Sequence, residues 1–298
     1  MKFACATSAC AVVLTALVAA QAEKVTIGVT PKPGQIIHYV ATQEINVDLV
    51  PDSAKDAAGN AVPSLVPPMK IVSKTMLTYT MVTNAANEQG RITSQVTYDQ
   101  ATAEMSINGT PFPSPATLGA LVGKTYTIVF GADGSVIDVT APDAKDETLA
   151  PVKAFIAEMS KYYPTASLAV GESTTRPLTL ALPIPIPGAG PMNLDGQMKM
   201  TLVSLAADGT DRIANCDQSF DAATKRPEAT AASPAPVPPL DISMRGTAKL
   251  QLNLDRGVVK NSQIDTTVDG AFPAPVGGPD APKLKLRGVM KATVTGTY

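Results

Sequence analysis

The chain has 298 residues, a formal net charge of −2, 45% hydrophobic and 17% charged residues. That length allows one large domain or two small ones, with enough apolar residue to bury a core. The near-neutral balance leaves no electrostatic footprint for nucleic acid or an anionic membrane surface, and a single histidine with three cysteines excludes most metal and triad chemistry.

Residues 1–22 read as a secretory signal peptide. Lys2 supplies the positive region, Ala11 to Ala20 form an apolar run too short to span a bilayer, and Ala20-Gln21-Ala22 is a small-x-small cleavage site. The mature chain would start at Glu23, in the periplasm or outside the cell, with no transmembrane segment. Cys10 precedes the apolar run instead of following it, which argues against lipid attachment there. Cleavage removes Cys5 and Cys10 and leaves Cys216 with no disulfide partner in its own chain. Its alternation with Ala214 and Phe220 suits a small buried hydrophobe.

Period-two alternation then dominates the chain. In QIIHYVATQEINVDL, Ile37, Tyr39, Ala41, Ile45 and Val47 share a face; in KTYTIVF, Tyr126, Ile128 and Phe130 do. Met198, Met200 and Leu202 oppose Gln197, Lys199 and Thr201. Ala248, Leu250, Leu252 and Leu254 follow the same rule, as do Leu284, Leu286, Met290, Ala292 and Val294. One apolar and one polar face per strand belongs to antiparallel sheets wetted on one side. About eleven such strands are expected, in a curved open barrel or two packed sheets.

The two halves look like copies. The stretch 77–102 lines up with 198–224: Arg91-Ile92 matches Arg212-Ile213, and Tyr98-Asp99 matches Phe220-Asp221. Gly123 and Gly134 match Gly246 and Gly257 at equal spacing. The expected organisation is a first β repeat at 23–142, a connecting segment at 143–164 and a second β repeat at 165–298, sharing one core. Leu149, Val152, Ile156, Met159 and Tyr163 recur at helical spacing in the connection, so a central amphipathic helix is expected from Pro151 to Tyr163. Asp143, Asp146 and Glu147 read as charges favouring its start. Short turns at Asn87–Gly90, Asp133-Gly134, Asp208-Gly209 and Arg256-Gly257 alternate with long Pro-rich loops, which would gather at the opposite end of the sheet.

An exported chain with these antiparallel strands and an apolar helix in their concavity resembles the periplasmic lipoprotein-carrier proteins. That resemblance implies an unclosed barrel holding acyl chains. The phrases GKTYTIVFGADGSVIDV and SLAVGESTTRPL also resemble an uncharacterised family of exported bacterial β-rich proteins with two internal repeats.

Chemistry is sparse. His38 alternates away from Ile37 and Tyr39, no nucleophile elbow or phosphate loop is present, and the acids Asp133, Asp208, Asp255 and Asp269 sit where turns use them. No catalytic residue, metal site or cofactor is expected. The methionines read as adaptable core filler, as a soft wall for an apolar ligand, or, at Met198 and Met200, as a thioether pair for copper(I). The leading expectation is a non-enzymatic exported protein binding a lipid-like or other apolar ligand. The lining would be Tyr126, Ile128, Phe130, Phe155, Met159, Met198, Met200, Leu250, Leu252 and Met290. The alternative is a cell-envelope interaction module with a filled core, its Pro-rich loops contacting a partner protein.

Overall fold

A computed structural model gives the fold. It describes residues 23–51, 54–55, 61–62, 67–88, 90–112, 119, 121–131, 134–141, 153, 156, 162–163, 165–181, 193–224, 241–273 and 283–298. The expected signal peptide and most of the long loops lie outside these residues.

The alternating segments are strands, as period-two patterning requires. In chain order they are β1 (Val25–Ile27), β2 (Ile36–Pro51), β3 (Ala54–Lys55), β4 (Ala61–Val62), β5 (Met69–Thr83), β6 (Ile92–Ile107), β7 (Thr110–Phe112), β8 (Thr125–Phe130) and β9 (Val136–Thr140). They continue as β10 (Ala166–Leu168), β11 (Ser173–Ala181), β12 (Asn193–Asp208), β13 (Asp211–Thr224), β14 (Asp241–Asn253), β15 (Val258–Pro273) and β16 (Lys283–Thr297). One sheet runs β11-β12-β13-β14-β15-β16-β2-β5-β6-β8-β9, with β7 paired to β6. The halves join where β16 pairs antiparallel with β2, from Thr297↔His38 to Leu284↔Pro51. The end strands β9 and β11 do not pair, so the sheet is not closed into a barrel.

The faces follow the alternation. Ala248, Leu250, Leu252, Leu284, Leu286, Met198, Met200 and Leu202 are buried, while Lys249, Lys285, Gln197 and Lys199 are exposed. One apolar cluster joins Tyr98 and Phe130 of the first half to Leu202 and Leu252 of the second. Only a sheet curled on itself brings those strands together. A second cluster, around Val47, Leu180, Met198, Phe220 and Met244, lies toward the end from which the long loops leave.

At the short-turn end the N-terminal segment forms a floor. β1 pairs with β10, Val25 opposite Leu168, and Ile27 is fully buried in the first cluster. The chain then passes between two hairpins: a Cβ on Gly134 would lie 2.4 Å from the Val29 carbonyl oxygen, and one on Gly257 only 1.9 Å from that of Thr30. The Lys32 amide donates to the Arg256 carbonyl at 3.2 Å. Ion pairs Arg212–Asp255 (2.9 Å) and Arg256–Asp211 (2.7 Å) tie the β12–β13 hairpin to the β14–β15 hairpin, and the Arg256 guanidinium lies 4.1 Å from the centre of the Tyr298 ring. Hydrogen bonding to Arg256 and Arg212 holds the Asp211 and Asp255 carboxyls below their ordinary value.

The expected helix is not supported. No helix is among the described elements: between Pro151 and Tyr163 only Lys153, Ile156, Tyr162 and Tyr163 are described, of which Lys153 and Ile156 are individually helical. Ile156 and Tyr163 pack on the first cluster and Tyr162 on the second. Apolar residues at helical spacing report that a segment buries one side. Of these, Ile156 and Tyr163 pack on the sheet; Leu149, Val152 and Met159 lie outside the described residues.

Gly257 tests the floor. Its φ of +66° disfavours any side chain and its Cβ position is occupied by backbone. Gly90 has φ +71° but open space around it. Urea denaturation should show Gly257→Ala losing clearly more stability than Gly90→Ala, which costs about 1 kcal/mol through φ alone. Equal losses would mean the floor contact contributes nothing.

Candidate functional site

The inward face is organised in rows that run across the strands. Next above the buried row Ile37, Met81, Val96 and Tyr126 comes a tyrosine row. Tyr39, Tyr79 and Tyr98 stand directly opposite one another on β2, β5 and β6. Their rings lie 5.1 and 5.6 Å apart, and Tyr126 on β8 meets Tyr98 edge-on at 5.8 Å. Gly296 makes room: a Cβ there would stand 2.8 Å from the Tyr39 ring. Burial pushes all four phenols up, Tyr98 to about 12, and Tyr163 of the connection is raised for the same reason.

Above the tyrosines the two sides of the interior differ. On the second half it is filled. Gln218 donates from Nε2 to the Tyr162 carbonyl at 2.9 Å and lies 3.6 Å from the Met200 sulfur, and the Tyr162 ring meets Phe220 edge-on at 6.0 Å. Gly246 lies under that Phe220 ring, which leaves no space for a Cβ. On the first half the described side chains are less covered. Gln43 alternates inward with Tyr39, Ala41, Ile45 and Val47, yet it is exposed. Its cross-strand neighbours are the small residues Ala292 and Thr75, and Thr75 faces Ala103. One row further from the floor, Met290, Ile45, Ser73 and Met105 face one another in turn and all are half-buried. That same row begins at the open edge with Arg176, which faces Met198 on β12. The Arg176 Nε and Nη2 are buried without a hydrogen-bond partner, and desolvation lowers its pKa.

The residues expected to line a site fall into three groups. Tyr126, Ile128, Phe130, Met200, Leu250 and Leu252 are buried in the first cluster, and Met198 in the second. Met290 is half-buried beside the recess. Phe155 and Met159 lie outside the described residues. Met198 and Met200, weighed above as a copper pair, are buried in different clusters. Residues not singled out from sequence border this less covered stretch more directly: Gln43, Thr75 and Met105. Gln43 and Arg176 had a signal, since each breaks the inward apolar alternation of its strand.

Other chemistry is quiet. His38 Nδ1 lies 3.0 Å from Thr80 Oγ1, whose hydroxyl donates to Asp99 at 3.0 Å on the exposed face. The Thr80 proton is thus directed at Asp99, so the imidazole donates to that oxygen and does not act as its base. Cys216 is buried, and burial pushes its thiol up to about 12, which keeps it protonated at neutral pH.

The outward face is charged. Asp265, Lys291, Glu44, Lys74 and Glu104 stand opposite one another across β15, β16, β2, β5 and β6, alternating in sign. A second such row runs Asp269, Arg287, Asp48, Lys70. On the second half a shallow depression of about 530 Å³ is bordered by Lys199, Asp217, Lys249 and Asp265, again mixed in sign.

No family model and no curated protein sequence matches the chain. Among solved structures it is similar to an outer membrane channel from Pseudomonas putida F1, at 10% identity over 89% of this chain and 97% of that one, with a TM-score of 0.17. It is also similar to Pseudomonas aeruginosa OpdQ, at 7% identity over 89% of this chain and 100% of that one, TM-score 0.20. Scores this low carry no argument.

The tyrosine row has an alkaline signature. A phenol whose pKa is raised by folding contributes stability that is complete below its unfolded value, near 10, and is lost as pH rises through its folded value. Stability should therefore decline from pH 10 toward about 12, the value for Tyr98. The phenolate absorbance of Tyr39, Tyr79, Tyr98 and Tyr163 should appear together with loss of strand circular dichroism. Phenolate signal that is complete while the strands remain intact would contradict this.

Proposed function

We propose that this chain is an exported, non-enzymatic β-protein, periplasmic or secreted after cleavage behind Ala22, that holds a lipid-like or other apolar molecule against the inner face of its sheet. The observation that carries the reading is the half-covered inner surface around Gln43, with Ile45, Met105 and Met290 beside it. Ile45 and Met290 pack on the second cluster and stay half-buried, and inward apolar surface only partly covered by the core is what a hydrophobic ligand would bury. The alternating charge rows on the outer face support a sheet with water outside, since a barrel facing lipid needs an outward apolar band.

One observation favours a second reading, the envelope interaction module with a filled core. Seven of the expected lining residues, Tyr126, Ile128, Phe130, Met198, Met200, Leu250 and Leu252, are closed off from solvent. Under that reading the long loops would do the binding, to a partner protein.

Substitutions at two depths separate the readings. Leu252→Ala should cost about 2–5 kcal/mol in urea denaturation, because Leu252 lies deep in the first cluster. Met105→Ala should cost less and should weaken binding of a fluorescent fatty-acid probe. Native mass spectrometry of protein purified from its own envelope should show a retained lipid. A bare chain whose probe binding ignores Met105→Ala would favour the interaction module.

A further inference from the structure

A depression of about 520 Å³ lies on the outer face at the long-loop end, across the seam where the two halves join. Its volume is that of a small-molecule site. Asp48 and Val50 of β2, Lys70 of β5, and Lys285 and Arg287 of β16 border it, and all five alternate outward and are exposed. One wall is held in place from the turn after β6. The Lys70 amide donates to the Asn108 side-chain oxygen at 2.7 Å, the Asn108 amide donates back to the Lys70 carbonyl at 2.8 Å, and Asn108 Nδ2 donates to the Pro68 carbonyl at 3.3 Å.

The charge around this depression is lopsided. Three cations border it with one carboxylate, Asp48. Arg287 and Lys70 stand on either side of Asp48 across the ladder, yet among the described residues neither forms an ion pair with it. The Arg287 guanidinium reaches only Asp269 of β15, at 3.9 Å, and both of those side chains are well exposed. The depression on the second half differs: its two lysines, Lys199 and Lys249, are matched by Asp217 and Asp265. The rest of the border at the seam is apolar, with Val50, Pro68 and Met69 beside the cations.

We propose that the seam depression binds the phosphate group of an organic phosphate. Arg287 supplies a planar fork of donors and Lys70 a mobile point charge, while Val50, Pro68 and Met69 meet the carbon skeleton. A water-soluble phosphate ester and a lipid head group share this chemistry. The site lies on the opposite face from the inner surface discussed above and does not depend on what that surface binds.

Amide-resolved NMR titration of the chain with inorganic phosphate, glycerol 3-phosphate and dihexanoylphosphatidate, the last below its micelle concentration, tests it. The Lys70 and Asn108 amides report from the wall of the site and should shift saturably with glycerol 3-phosphate. Lys70→Gln and Arg287→Gln should each weaken that binding about twofold to fivefold, the range for solvated ion pairs, and the double variant more than either. Asp48→Asn should tighten it, an effect that a merely structural role for these charges would not produce. Lys199→Gln, in the balanced depression, should change nothing. Phosphatidate binding much tighter than glycerol 3-phosphate, with the same sensitivity to the double variant, would make a lipid head group the source; equal affinities would make it the soluble ester. Phosphatidate binding that ignores the double variant would belong to the inner face and exclude a lipid from the seam. Inorganic phosphate binding as tightly as the ester would remove the organic part of the proposal. No saturable shift at millimolar concentrations, or an affinity for glycerol 3-phosphate unmoved by the double variant, would overturn it outright.

Discussion

The structure depends on one pairing, that of the first long strand with the last. β2 and β16 are separated by most of the chain, yet they pair over fourteen positions. Without that contact the two halves would be separate meanders, each with an apolar face to hide. With it, both turn the same face inward and share one interior. Several features specify its register. Lys291 faces Glu44 and Arg287 faces Asp48. The Thr42 and Thr293 hydroxyls are hydrogen-bonded at 2.7 Å. Gly296 admits the Tyr39 ring, and Gly288 lies against Val47. A slip of one residue would turn every inward side chain of β16 outward. A slip of two keeps the faces, but would replace Lys291–Glu44 with a pairing of Lys291 against Thr42 or Asn46 and set the glycines beneath the wrong side chains. Each exposed charge pair is worth little singly. Their value here is selective, because they distinguish registers that burial alone leaves equal.

The faces of the strands were legible from the chain because their period is local. Leu250 and Leu252 against Lys249 need no knowledge of the rest of the molecule. The pairing of β16 with β2 was not legible, since nothing in either segment names the other. The cross-strand charge rows become visible only once that pairing is known. The connecting segment misled for a different reason. Ile156, Tyr162 and Tyr163 do enter the interior, and helical spacing was the right sign that the segment buries something. It could not say how long a helix would form around Lys153 and Ile156, and no helix element is described there. The lining residues were chosen for being inward and apolar, which is the criterion for a core as much as for a pocket. Gln43 and Arg176 carried more information because they violate the pattern.

The interior is therefore graded. At the floor it is sealed by β1, by the hairpins tied through Arg256 and Asp211, and by the tyrosine row. Tyrosine suits that level: its ring fills space like phenylalanine while its hydroxyl can end near polar neighbours such as Ser262, which tempers the rise in the Tyr163 pKa. Higher up, the second half is occupied by Tyr162, Gln218 and Phe220. The first half at that height has alanine, serine and threonine where a filled core would place larger residues. Small side chains beneath an uncovered surface differ from a packing defect, because they recur across neighbouring strands at the same level.

The open edge completes this picture. β9 has five residues and β11 nine, so the two could not pair along their full lengths even if brought together. β11 also contains Pro177, which has no amide proton to offer a further strand, and the charged pair Lys153–Asp138 (3.2 Å) guards β9. These are the devices by which sheets avoid unwanted edge pairing. The features that keep β9 and β11 apart thus leave an interior that, among the described residues, is filled at its base and less covered at mid-height.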